Sequence, residues 1–110
     1  MLPKIHRLTK KKDFEAVFRK GILIKSDIVL LRAVKNHLPE SRFGFVVSKK
    51  VSSKATIRNK VKRRLRKAVQ DQLLKVKNPM DAIIISLPGV EKKEFSEIQE
   101  IIATMVKKLT

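Results

Sequence analysis

Residues 42–69 read RFGFVVSKKVSSKATIRNKVKRRLRKAV, and the hydrophobic period changes within them. RFGFVVSKK (42–50) alternates, which predicts a strand with Phe43, Phe45 and Val47 on one face. Gly44, Val46 and Ser48 then share the other face. VSSKAT is a small, polar linker. From about 55 to 75 the period becomes helical, with Ile57, Val61, Leu65, Ala68, Val69 and Gln72 on one side. Asn59, Lys60, Arg63, Arg66 and Lys67 fall opposite, and Arg58, Lys62 and Arg64 lie on the flanks. Seven cations occupy the eleven residues 57–67. Like charges one turn apart destabilise a helix by about 0.2–0.5 kcal/mol per pair. A chain that accepts this cost points to negative charge supplied from outside.

Outward from this segment, DAIIISL (81–87) follows the Asn78-Pro79 break as a buried strand, so strand, basic helix and strand form one crossover unit. Upstream, Thr9 is expected to cap a helix from about Lys10 to Lys20, closed by Gly21 as its C′ residue. Phe14, Val17 and Phe18 make its apolar face. ILIKS (22–26) and IVLLRAVK (28–35) read as strands, and NHLPES (36–41) as a turn. Pro88-Gly89 is a second turn. A last helix, roughly 95 to 109, carries Phe95, Ile98, Ile101, Ile102, Met105, Val106 and Leu109 on one stripe. Ser96 with Gln99 offers a capping box, with Glu94 as the alternative first residue. The order α-β-β-β-α-β-α, on an otherwise antiparallel sheet, gives an α+β two-layer sandwich in a single domain, residues 1–110.

The net charge of +17 is unevenly spread. Residues 1–25 hold eight Lys/Arg against two acids, and residues 41–70 hold eleven and no acid. Residues 26–40 and 71–110 each balance. Charge confined to two segments is the footprint expected of a polyanion-binding protein. There is no cysteine, which excludes disulfides, thiolate metal sites and thiol nucleophiles. The N-terminus lacks the apolar core of a secretory signal, and no apolar run approaches the roughly 20 residues of a membrane span. A cytoplasmic location is the expectation.

Catalytic chemistry finds little support in the sequence. His6 and His37 have no metal-ligand spacing and read as surface residues. Asp13, Glu15, Asp71, Asp81 and the four glutamates between 91 and 100 are scattered, whereas two-metal nucleases need clustered carboxylates. Ser48 and Ser52 have no histidine nearby in sequence, and no glycine-rich phosphate loop is present. The expected set of catalytic and metal-ligating side chains is empty. Binding is better supported. Asn59 adds an uncharged donor and acceptor among seven cations. Two aromatics four apart on a helix are ordinarily core, but Phe14 and Phe18 lie between Lys10-Lys11-Lys12 and Arg19-Lys20. Rings beside cations suit single-stranded nucleic acid, where stacking contributes about 1–3 kcal/mol per base.

Three segments, LPKIHRLTKKKDFEAVFRKG, FGFVVSKKV and ATIRNKVKRRLRKAV, together resemble the protein subunit of bacterial ribonuclease P from end to end. One departure is Lys60, where the family's Arg-Asn-Arg core usually has its second arginine; lysine keeps the charge but loses the planar fork. The resemblance implies a ribosomal protein S5 domain 2-like fold with a left-handed βαβ crossover. It implies that a large RNA subunit performs the Mg2+-dependent hydrolysis that removes the 5′ leader from precursor tRNA. The protein then binds no cofactor of its own and joins the RNA subunit as a monomer in a 1:1 ribonucleoprotein. Arg58, Asn59, Lys60, Lys62, Arg63 and Arg66 inherit contact with the RNA subunit. Phe14, Phe18, Val46, Ser48, Lys49 and Lys50 inherit the leader-binding cleft. Two other classes stay open: a ribosomal-RNA-binding protein, and a nuclease that needs no RNA cofactor.

Overall fold

The computed structural model describes residues 2–76 and 78–109, with the side chain of Leu74 left aside. Helix α1 spans Lys11–Lys20, α2 Ala55–Gln70 and α3 Phe95–Lys107. Strands β1 (Ile22–Lys25), β2 (Val29–Lys35), β3 (Arg42–Val46) and β4 (Met80–Ser86) form one sheet in the order β1-β2-β4-β3. β1–β2 and β2–β4 are antiparallel; β3 and β4 are parallel and joined through α2. The α+β element order expected from sequence is borne out.

β4 lies between two partners and is covered on both faces, which is why MDAIIIS is almost unbroken in apolar residues. On one face, Val29, Leu31, Ala33, Phe43, Ala82 and Ile84 pack against Val61, Leu65, Ala68 and Val69 of α2. Ile98, Ile102, Met105 and Val106 of α3 complete that core. Each of these side chains larger than alanine contributes about 1.5–3 kcal/mol by leaving water. The other face carries a smaller cluster of Leu8, Val17 and Ile83, edged by Phe14, Val34, Val46 and Ile85. Sheet and α2/α3 are thus the two main layers, with α1 laid across the opposite face.

The hydrogen-bond ladder fixes the hand of the crossover. Asn36 N–H donates to Pro79 O (3.2 Å), so even-numbered β2 residues aim their peptide groups at β4. Val34, one of these, faces α1. For L-residues this places β4, and beyond it β3, to the right of an upward β2 seen from α1. With α2 on the far face, the path β3–α2–β4 winds left-handed, against a preference of about 98%.

Local details differ from the sequence reading. Lys10, not Thr9, precedes the first helical residue, and no side chain caps that end. Gly21 does end α1, but with extended backbone (φ −74°, ψ 149°) rather than a left-handed turn. Its need is steric: a Cβ there would press on Val17 O and on the Ala33 backbone of the neighbouring strand. β3 stops at Val46 rather than 50, because its last partner, Ile85, is the penultimate residue of β4. The basic helix stops at Gln70; a 3₁₀ turn, Leu73–Lys75, then returns Leu73 and Val76 to the core. Glu94 is the residue before α3, so the Ser96–Gln99 capping box is not formed.

Candidate nucleic-acid interface

α2 divides as its periodicity predicts. Val61, Leu65, Ala68 and Val69 are buried, while Asn59, Lys60, Arg63 and Lys67 are exposed. The two flanking arginines are half-buried and tethered. Arg58 Nη1 donates to Ser52 O (3.0 Å), and Arg64 Nη1 to Lys93 O (3.2 Å). Lys67 is paired with Asp71 at 3.2 Å. Lys62 is half-buried beside them. No acid occurs between Ala55 and Gln70, so the outward face is an uninterrupted field of positive charge.

Arg66 stands at the margin of this face, lining one cavity with Arg63, Arg64 and Lys67 while its head turns toward β3. Its guanidinium carbon sits 6.0 Å from the centroid of the Phe45 ring, at the edge of the sheet. There it lines a cavity of about 420 Å³ together with Phe14, Arg7, Thr9 and the Phe43–Phe45 edge of β3. Arg66, assigned by resemblance to one surface, and Phe14, assigned to the other, therefore share one cavity.

On the opposite face of the sheet, the strand alternation places Val46 beside Phe14, with Phe43 and Phe45 turned toward α2 and α3. The two phenylalanines differ. Phe14 is half-buried against Leu8, Val17 and Ile83, whereas Phe18 is 43% exposed. Ser48, Lys49 and Lys50 lie in the turn after β3, where Ser48 Oγ accepts the Lys50 N–H at 3.2 Å. Phe14 and Val46 are thus brought together, Ser48, Lys49 and Lys50 follow at the end of β3, and Phe18 stands exposed one turn further along α1.

Three residues that sequence reasoning did not single out position this groove. Arg32 of β2 donates to Phe18 O (3.1 Å), placing a cation where the helix dipole favours it. Arg42 grips Asp81 through two hydrogen bonds, 2.9 and 2.6 Å, and lies 3.4 Å from Asp13 of α1. Asn36 also donates to Asp81, at 2.7 Å. The hydrogen bond to Asp81 holds the Arg42 guanidinium above its ordinary value, opposed by burial and reinforced by the charges of Asp81 and Asp13. Asp81 is buried at 7% exposure, a position a carboxylate occupies when it is paired. The only sequence trace of this clasp was a carboxylate opening an apolar strand. His6 is likewise half-buried rather than free: Nδ1–H donates to Ser41 O (2.8 Å) and Nε2 lies 3.8 Å from Glu40.

Among the described residues, no three His, Asp or Glu side chains come together in a metal-holding group. No helix among them is long and apolar enough to cross a membrane.

The fold and these faces define a small basic α+β protein of the polyanion-binding class. The family model for ribonuclease P matches residues 2–110. The chain is 32% identical over 108 residues to the ribonuclease P protein component of Syntrophomonas wolfei, covering 98% of this chain and 90% of that one. It is 33% identical over 106 residues to the component from Streptococcus thermophilus, covering 96% and 94%. The RNase P protein of Thermotoga maritima, solved in complex with 1-(4-fluorophenyl)-2-thiourea, superposes with a TM-score of 0.86 at 27% identity. That match covers 94% of this chain and all of the other. A Staphylococcus aureus RNase P protein gives 0.81 at 25% identity, over 96% and 98%. The chain belongs to the ribonuclease P protein family, as a component of the bacterial type.

Proposed function

We propose that this protein binds a catalytic RNA subunit through α2 and the single-stranded 5′ leader of precursor tRNA through the groove between α1 and β3. Bond cleavage belongs to the RNA, which uses Mg2+; the protein adds affinity for the leader, which mature tRNA lacks. The complex is a 1:1 ribonucleoprotein acting in the cytoplasm.

One observation carries the reading: α2, which bears the cations, and α1, which bears the rings, pack on opposite faces of the sheet, and of the α2 cations Arg66 reaches round the β3 edge to the cavity beside Phe14. Two RNA segments can therefore be held at once. Exposed cations such as Lys60 and Arg63 neutralise phosphates and release counterions. A ring left 43% exposed beside lysines offers a stacking surface. Arg58, Lys62 and Arg66 reach the same RNA from the flanks, and Asn59 adds an uncharged hydrogen-bonding group.

The test is cleavage of precursor tRNA by purified, nucleic-acid-free protein with and without the RNA subunit. Activity is expected only with the RNA, and at lower Mg2+ than the RNA needs by itself. Cleavage by the protein alone would overturn the reading. Failure to bind or assist the RNA subunit would overturn it equally.

A further inference from the structure

Lys10, Lys12 and Lys20, which neighbour the two rings in sequence, lie away from the ring-bearing flank of α1 in the structure. At helical spacing Val17 points into the sheet, and Phe14 and Phe18 lie on the flank toward β3. Asp13, Ala16 and Lys20 lie on the other flank, toward the end of β2. A cavity of about 570 Å³ opens there, floored by Val34 and ringed by Lys10, Lys12, Lys20, Lys35 and His37. Its two carboxylates, Asp13 and Asp81, both turn to Arg42. The four lysines are exposed, and among the described residues none has an ion-pair partner. Four lysines and Arg42 against two aspartates leave this cavity at +3. Apart from the His37 imidazole, no aromatic ring lines it.

We propose that this flank of α1 is a separate groove for the phosphodiester backbone of RNA, held by charge without contact to the bases. α1 then divides two modes of recognition. Its β3 side stacks unpaired bases, and its β2 side tracks phosphates. The chemistry follows from the lining, since lysine ammoniums neutralise phosphate oxygens but present no flat surface to a base. This inference rests on the reading of the chain as an RNA-binding subunit. It gives a role to three of the eight cations of residues 1–25, Lys10, Lys12 and Lys20, which the α2 face leaves unexplained.

The test compares a triple variant, Lys12→Gln, Lys20→Gln and Lys35→Gln, with a control, Lys75→Gln, Lys92→Gln and Lys108→Gln, which removes equal charge from exposed positions elsewhere. Circular dichroism and thermal melting establish that both fold. Dissociation constants are measured from 50 to 300 mM salt for two RNAs: the RNA subunit with protein, and leader-bearing precursor with assembled holoenzyme. For one of the two, the groove variant is expected to bind about tenfold more weakly at physiological salt. The slope of log K against log salt should become shallower by about 2, at roughly 0.7–0.9 for each phosphate no longer neutralised. Weakening confined to the RNA subunit identifies that molecule as the occupant. Weakening confined to the precursor, and growing with leader length, identifies the leader. Behaviour matching the control with both RNAs overturns the groove. If wild-type protein binds neither RNA, the functional reading fails instead, so the two failures are distinct.

Discussion

Gly44 lies directly beneath the ring of Phe14: a methyl group on its Cα would overlap Phe14 Cζ. The ring rests on bare backbone of β3, and Leu8 O closes the other side of the space. A strand glycine ordinarily weakens a strand. Here it lets α1 approach the sheet closely enough for Phe14 to lie over β3.

Gly44→Ala is therefore expected to destabilise the protein by about 1–3 kcal/mol, the usual cost of inserting a methyl group into filled space. Displacing Phe14 should also weaken binding of leader-bearing precursor, while affinity for the RNA subunit stays unchanged. Urea melts and filter binding with the two RNAs check this. A stable variant with unaltered leader affinity would show that the ring position is unimportant.

Phe14 and Phe18 should separate stability from binding. Phe14→Ala is expected to cost about 2–3 kcal/mol of stability, somewhat less than a fully buried ring, because Phe14 is half-buried. Phe18→Ala should cost below about 1 kcal/mol, since the side chain is already 43% exposed. Both should weaken precursor binding by about 1–3 kcal/mol relative to mature tRNA. Equal effects on precursor and mature tRNA would remove the leader groove from the mechanism.

Arg42→Met leaves Asp81 buried with only Asn36 as a partner, and releases Asp13 on α1. A destabilisation of about 3–5 kcal/mol is expected, as for other broken buried pairs. The double variant Arg42→Met, Asp81→Leu should recover much of it, because Asp81 no longer stands as a buried, unpaired charge. Chemical denaturation of the single and double variants provides the measurement, and an equally unstable double variant would contradict the argument.

On α2, Lys60→Gln with Arg63→Gln should leave stability within about 0.5 kcal/mol, since both are exposed. The salt slope for binding the RNA subunit should drop by about 1.5–2. Lys60→Arg should act in the opposite sense, strengthening assembly by offering a planar, bidentate donor. A salt slope unaffected by the double change would exclude α2 as a phosphate-binding face.

Periodicity is local, and what depends on it was legible in the sequence: the three helices, the four strands, the buried stripe of α2 and the opposite faces of Phe43 and Val46. The concentration of charge was equally plain. Residue pairings across the chain were not. Asp13, Arg42 and Asp81 are separated by tens of residues, so their meeting is set by strand register and by where α1 lies. Arg66 and Phe45 meet for the same reason, over the edge of β3. Periodicity says which way a side chain points from its own axis; what it points at depends on how the axes pack. Hydrophobic burial on both faces of β4 settles that packing, and only then do Phe14 and Phe18 become unequal and the lysines of α1 enclose a cavity.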